Sequence, residues 1–365
     1  MKIVKFRMFQ FTLPLVKTLT VNKNRLTERS GFIIELTDEH GRTGLGEASP
    51  LPGLSRESWE TAGSQISVVL PELMGVKIPR DFKQLAGLLN DRVGTFNLSS
   101  SVRFGLEAAF LNLIAAAFNR PLRKIMSDNA TNSLPVNGLL IGDLDEIRDR
   151  IVTMVKTGYR TLKLKVGRQS LDDDIRLVHE VRKLSGDRIR LRLDANRAWD
   201  IEQAREFFNR IGGGGIEYIE EPVKNLELLL RLISLSDMPV ALDESLNELK
   251  PDSLMTLPSV KAIIIKPTCL GLEHSFLWAH KALSGGVTPV ISSAFESGLG
   301  ISILAELAAG LDKLEVPVGL DTLYWFERDL LKKPIRIENG RLFLYDSVIK
   351  TDNLVFKLMR EYPDV

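Results

Sequence analysis

Cysteine occurs once in these 365 residues, at Cys269. An internal disulfide is therefore excluded, and a reducing compartment, the cytoplasm, is the expected location. A lone thiol with no patterned histidine partner reads as a small buried hydrophobe rather than a nucleophile. Surplus charge is missing as well: 48 Lys and Arg stand against 47 Asp and Glu, a net charge of +1. Neither nucleic acid nor an anionic membrane is an expected partner, and no acidic tail points to a disordered arm. No G-x-G-x-x-G and no P-loop pattern occurs, and the Gly212–Gly215 run lies after a helical stretch, on the wrong side for a phosphate loop. Long apolar runs are also lacking. The longest, Ala108 to Phe118, contains Asn112 and reads as a core helix, not a membrane span. Met1 to Thr12 alternates basic and apolar residues like a strand, without a signal-peptide apolar block.

What is present is a change of rhythm. Lys2–Thr12 and Gly31–Thr37 are strand-like, with Gly41 at a hairpin tip. Helical patterns follow at Ser58–Leu73, near Phe82–Leu89 and at Ser99–Phe118. From Pro135 onward a short β-rich run recurs eight times: Val136–Ile141, Thr161–Val166, Arg190–Asp194, Ile216–Glu220, Val240–Asp243, Ala262–Lys266, Pro289–Ser293 and Val316–Gly319. Helix-like stretches fill most intervals; one begins at Asp200 with Gln203 as an N-terminal cap pair. Eight alternations predict parallel βαβ units closing into a barrel. Asp321–Leu331 is expected to be helical, and Pro334–Leu344 a hairpin turning at Asn339-Gly340. A hairpin has no place in an outer ring of helices, so the tail is expected to return to the N-terminal unit.

The ionisable residues fall at the ends of these runs. Lys165, Asp194, Glu220, Asp243 and Lys266 are separated by 29, 26, 23 and 23 residues, about one βα unit each. In a barrel the C-terminal ends of the strands meet at one mouth. Any one of these carboxylates could be no more than a helix cap, and a terminal lysine commonly reaches into solvent. Three carboxylates on adjacent strands, however, repel one another unless a cation lies between them, and hard oxygen donors in that number suit Mg²⁺ or Mn²⁺. No His or Cys joins them, which disfavours zinc. Lys163 and Lys165 share one strand face, and neighbouring ammonium groups are expected to lower each other's pKa. A lysine base beside a divalent ion can remove a proton next to a carboxylate.

The motifs Leu162-Lys-Leu-Lys-Val-Gly167, Leu193-Asp-Ala-Asn-Arg-Ala-Trp199, Ile219-Glu-Glu-Pro222, Leu242-Asp-Glu-Ser245 and Ile265-Lys-Pro267 resemble, in order and spacing, the muconate-lactonising branch of the enolase superfamily. Gly46–Leu54, Ser100–Glu107, Pro135–Leu139, Ser292–Ser297 and Gly319–Thr322 narrow the resemblance to the o-succinylbenzoate synthases. It implies a (β/α)7β TIM-like barrel over residues 126–322, an N-terminal α+β capping domain over 1–125, and a C-terminal segment, 323–365, completing the cap. Loops near residues 18–25 and 50–55 would close over a small carboxylate substrate. The implied activity is a hydro-lyase reaction, the Mg²⁺-dependent syn-dehydration of 2-succinyl-6-hydroxy-2,4-cyclohexadiene-1-carboxylate in menaquinone or phylloquinone synthesis. Carried over residue by residue, Asp194, Glu220 and Asp243 bind the metal, with Glu221 turned away. Lys165 is base and acid, Lys266 a fixed cation, and Lys163 tunes Lys165. Ser292, Gly319, Asn196 and Arg192 contact substrate, with an ion pair inside the barrel an equal reading for Arg192. The rivals are an N-succinylamino acid racemase or dipeptide epimerase on the same scaffold, a catalytically dead binding barrel, and a metal-free sugar-binding barrel.

Overall fold

The computed structural model describes residues 1–79, 94–212, 215–257, 259–311 and 315–362. The helix expected near Phe82–Leu89 lies outside these residues. β1 (Ile3–Val21), β2 (Asn24–Asp38) and β3 (Thr43–Ala48) form an antiparallel meander. Along β1 the odd-numbered Phe9, Phe11, Leu13 and Leu15 are buried, the period expected of a sheet with one packed face. Helices Trp59–Glu72 and Ser100–Phe118 complete this unit. The second is long and apolar enough to cross a membrane, but thirteen of its residues are buried, and it packs most extensively on β3.

β4 (Ser133–Pro135) leads into seven parallel strands, joined in sequence order: β5 (Gly138–Leu140), β6 (Thr161–Lys165), β7 (Arg190–Asp194), β8 (Ile216–Glu220), β9 (Val240–Leu242), β10 (Val260–Ile265) and β11 (Thr288–Ile291). The expected eighth strand survives as two parallel bridges, Ser292 to Gly319 and Val136 to Val318. They suffice to close the cylinder. Gly319 N–H donates to Ile291 O on one side, while Asn137 N–H donates to Val318 O on the other. Helices between the strands begin on side-chain caps: Asp143, Ser170, Asn225, and Asp200 in a reciprocal box with Gln203. Each such cap stabilises its helix by about 1 kcal/mol.

One expectation fails in the tail, and another holds for all but the hairpin. Asp321–Leu331 contains only a single 3₁₀ turn, Leu323–Trp325. Its hydrogen bonds are made otherwise: Glu327 N–H goes to Pro14 O, Leu330 N–H goes to the Asp329 carboxylate, and that carboxylate also accepts Gly298 N–H of a neighbouring helix. The hairpin β12 (Arg336–Glu338) and β13 (Arg341–Phe343) turns at Asn339-Gly340, but it pairs with β4 beneath the barrel rather than with the N-terminal sheet. The tail around it does return there: Glu327 N–H reaches Pro14 O, Thr351 Oγ1 donates to Glu35, and the short β14 (Met359–Glu361) lies alongside β1.

Candidate active site

The parallel register sets the site. Lys165, Asp194 and Glu220 are direct cross-strand partners at the ends of β6, β7 and β8. Asp243 and Lys266 follow the last residues of β9 and β10. Together they span half of the barrel rim. Lys163 Nζ lies 2.7 Å from Asp194 and 2.7 Å from Glu220, and Lys165 Nζ lies 2.6 Å from both Asp194 Oδ2 and Asn196 Oδ1. Lys266 is paired with Asp243. The three carboxylates are buried, and the lysine ammonium groups sit between them.

Burial and these contacts shape the charges. Burial alone would raise Asp194, but Lys163 and Lys165 outweigh it and hold its carboxyl below the usual range. Burial and the adjacent Asp194 push Glu220 well up, because two carboxylates share one ammonium. Burial disfavours the Lys163 ammonium, yet Asp194 and Glu220 overcome this and raise it. The expected lowering of Lys163 by a lysine neighbour is therefore corrected: its nearest charges are carboxylates. Burial, then Asp243, pushes Glu244 up to about 7. Among the described residues no three carboxylate, imidazole or thiol groups close around a common point. The donor set nonetheless fits a hard divalent cation. Hard oxygens crowd at adjacent strand ends, their mutual repulsion shows in Glu220, and ammonium groups already occupy the space a cation would share.

Above this floor lies a cavity of about 260 Å³. Lys163, Lys165, Lys266, Asn196, Ser292 and Gly319 all line it, with Leu19–Asn22, Leu51 and Leu54 contributed by the N-terminal unit. Arg192 does not. It is fully buried below the cavity, donating to Glu217 (2.7 Å), Asn137 Oδ1 (3.0 Å) and Pro317 O (2.7 Å). Of its two expected roles the ion pair is the one observed, and Asn137 faces the cavity in its place. Asp321 also lines the wall, but Arg150 lies 3.3 Å away and holds its carboxylate. Glu221, at φ 42°, points away and accepts the N–H groups of Asp243 and Ser245 at 2.8 Å, fixing the loop that carries Asp243.

No motif announces how the two units are joined. Arg29, in β2, is 2% exposed and donates to four carbonyls: Ser49 and Pro50 of the N-terminal unit, Ala294 and Phe295 of the barrel rim. Glu47 accepts from Ser297 and Gly300 N–H, capping the helix Gly298–Gly310. Glu296 accepts from Thr268 and from Ala294 N–H, and burial, with Glu47 nearby, pushes it up to about 7. Local patterning carries no sign of this, since Arg29 stands among polar residues in what reads as an exposed hairpin arm.

A closed parallel barrel with lysines and carboxylates around one mouth, capped by an antiparallel sheet, defines the enolase class. The pattern described as "Enolase C-terminal domain-like" matches residues 146–347, and "MenC, N-terminal domain" matches residues 3–113. The o-succinylbenzoate synthase of Vibrio cholerae is 34% identical over 331 residues, covering 88% of this chain and 90% of that protein. The chain belongs to the o-succinylbenzoate synthase family, and so is a lyase. Protein PHYLLO, chloroplastic, of Arabidopsis thaliana is 31% identical over 90% of this chain, which spans only 21% of that protein's length. A muconate lactonizing enzyme from Pseudomonas fluorescens shares the fold, with a TM-score of 0.86 at 23% identity over 98% of this chain and 99% of the other.

Proposed function

We propose that the protein dehydrates 2-succinyl-6-hydroxy-2,4-cyclohexadiene-1-carboxylate to o-succinylbenzoate, the aromatising step towards menaquinone or phylloquinone. The observation that carries this is the placement of Lys165 and Lys266 on opposite sides of the Asp194, Glu220 and Asp243 arc at one cavity floor. Lys165 Nζ removes the proton from the ring carbon bearing the carboxylate. It then delivers a proton to the hydroxyl on the next carbon, which departs as water from the same face. Lys266 stays cationic beside the enediolate oxygens. Lys163, held between Asp194 and Glu220, orients Lys165. Asp194, Glu220 and Asp243 would hold Mg²⁺, or Mn²⁺ in its place; bound there, it supplies positive charge where the substrate carboxylate gains negative charge. Asn196, Ser292 and the Gly319 backbone orient the ring, and Arg192 acts through Asn137.

Residues 1–125 act in this scheme as the cap, 126–322 as the catalytic barrel, and 323–365 as the returning segment, in a cytoplasmic enzyme. The loops near 18–25 and 50–55 exclude water once substrate is in place. The test is incubation with the cyclohexadiene substrate, following the aromatic product by absorbance. Product formation that stops with EDTA and returns with Mg²⁺ is expected. No product, together with α-proton exchange on N-succinylamino acids, would replace the dehydratase with a racemase.

A further inference from the structure

Among the described residues, four cationic side chains line the cavity, and three are already committed. Lys163 and Lys165 lie within 2.7 Å of Asp194, and Lys266 is paired with Asp243. Arg168 is the fourth. Among the described residues its guanidinium has no carboxylate within ion-pair distance, and it makes no side-chain hydrogen bond. Its backbone, by contrast, is fixed. Asp174, 1% exposed, turns back from the first turn of the helix Leu171–Ser185 and accepts the N–H groups of both Gly167 and Arg168. Gly167 sits at φ +73° against Ala198, where a side chain would overlap the Ala198 methyl. The loop after β6 thus fixes the backbone of this exposed arginine at the mouth and leaves its charged end uncommitted.

The proposed substrate and product each carry two carboxylates. One must lie on the floor, because its neighbouring proton is the one removed. The other ends the succinyl tail, and a carboxylate drawn out of water without a cation is strongly disfavoured. We infer that Arg168 binds the tail carboxylate of the substrate and so makes the site selective for dianions. This rests on the dehydratase function proposed above. An arginine fork matches a carboxylate in two parallel hydrogen bonds, and a contact remote from the reacting carbon is made equally in ground and transition states.

The experiment compares wild type, Arg168→Gln and Arg168→Lys in steady-state turnover of the cyclohexadiene. Calorimetry then measures binding of o-succinylbenzoate and of its tail methyl ester, with Mg²⁺ present throughout. Arg168→Gln is expected to raise KM about tenfold with kcat nearly unchanged, the size of one partly exposed charge-assisted contact. Arg168→Lys should recover part of that loss, having the charge but not the fork. Wild type should prefer the acid over the ester by a similar factor, and Arg168→Gln should bind both alike. Equal KM in wild type and Arg168→Gln, or an undiminished acid preference in the variant, overturns the role of Arg168 while leaving the dehydratase standing. Wild type that neither turns over the cyclohexadiene nor binds o-succinylbenzoate overturns both.

Discussion

Glu296→Gln should flatten the pH dependence of stability. Glu296 is fully buried where the N-terminal unit meets the barrel, facing Glu47, Arg29 and the Cys269 thiol. Its carboxyl is raised from an ordinary 4.5 to about 7, chiefly by burial. The folded protein therefore binds this proton more tightly than the unfolded chain does. The resulting stabilisation is complete below 4.5 and is lost as pH rises through about 7. A shift of that size corresponds to roughly 3 kcal/mol at about 1.4 kcal/mol per unit, with no discount for screening at a buried site. Glutamine can still accept from Ala294 N–H and donate to Thr268, but it never ionises opposite Glu47. Equilibrium urea unfolding of both proteins from about pH 5 to 8 isolates the effect, because every other titrating group is common to the pair. The variant should gain about 3 kcal/mol on wild type across that window. A difference that stays constant, or narrows as pH rises, would refute the reasoning.

Lys165→Ala and Lys266→Ala should each abolish turnover while far-ultraviolet circular dichroism remains unchanged; near-normal turnover in Lys165→Ala would remove that residue as the base. Arg29→Gln strands several buried carbonyl acceptors and should cost about 2–4 kcal/mol in urea unfolding, against under about 1 kcal/mol if the join between the units contributes nothing. A Cβ at position 319 would overlap Ser292 Oγ and lie 3.0 Å from Ser292 Cβ. Gly319→Val should therefore displace that hydroxyl and lower kcat/KM by about tenfold or more, and unchanged kinetics would take both residues out of substrate binding.

The barrel was legible because its evidence is periodic. A charged residue closing each of five apolar runs recurs at the interval of a βα unit, and the parallel register converts that spacing into adjacency. Lys165, Asp194 and Glu220 needed only strand parity and order to be brought together. What escaped the sequence depends on contacts with no local signature. Arg29 and Glu296 meet across more than 260 residues, counted by the Arg29 bond to Phe295. Arg192 and Lys163 are cross-strand partners with the same inward parity, and only their contacts separate an ion pair with Glu217 from a lysine held between Asp194 and Glu220. The Asp321–Leu331 segment has the composition of a helix, but β1 and the helix at Gly298 claim its hydrogen bonds first.

The closure of the cylinder also sets an order of assembly. Val136 N–H is held by Gly340 O, and β4, just ahead of it, pairs with β13. The seam between the first and last barrel strands is thus fastened from below by residues made long after the barrel itself. The same delay applies to the cap, where one side of β1 finds its partner only when Met359–Glu361 arrives. A nascent chain carries open strand edges at β4 and β1 until then, and such edges are templates for intermolecular pairing. Shortening the chain before residue 341 would therefore leave the catalytic residues and the Ser292–Gly319 and Val136–Val318 bridges in place, but would remove the strand that pairs with β4 just below that seam.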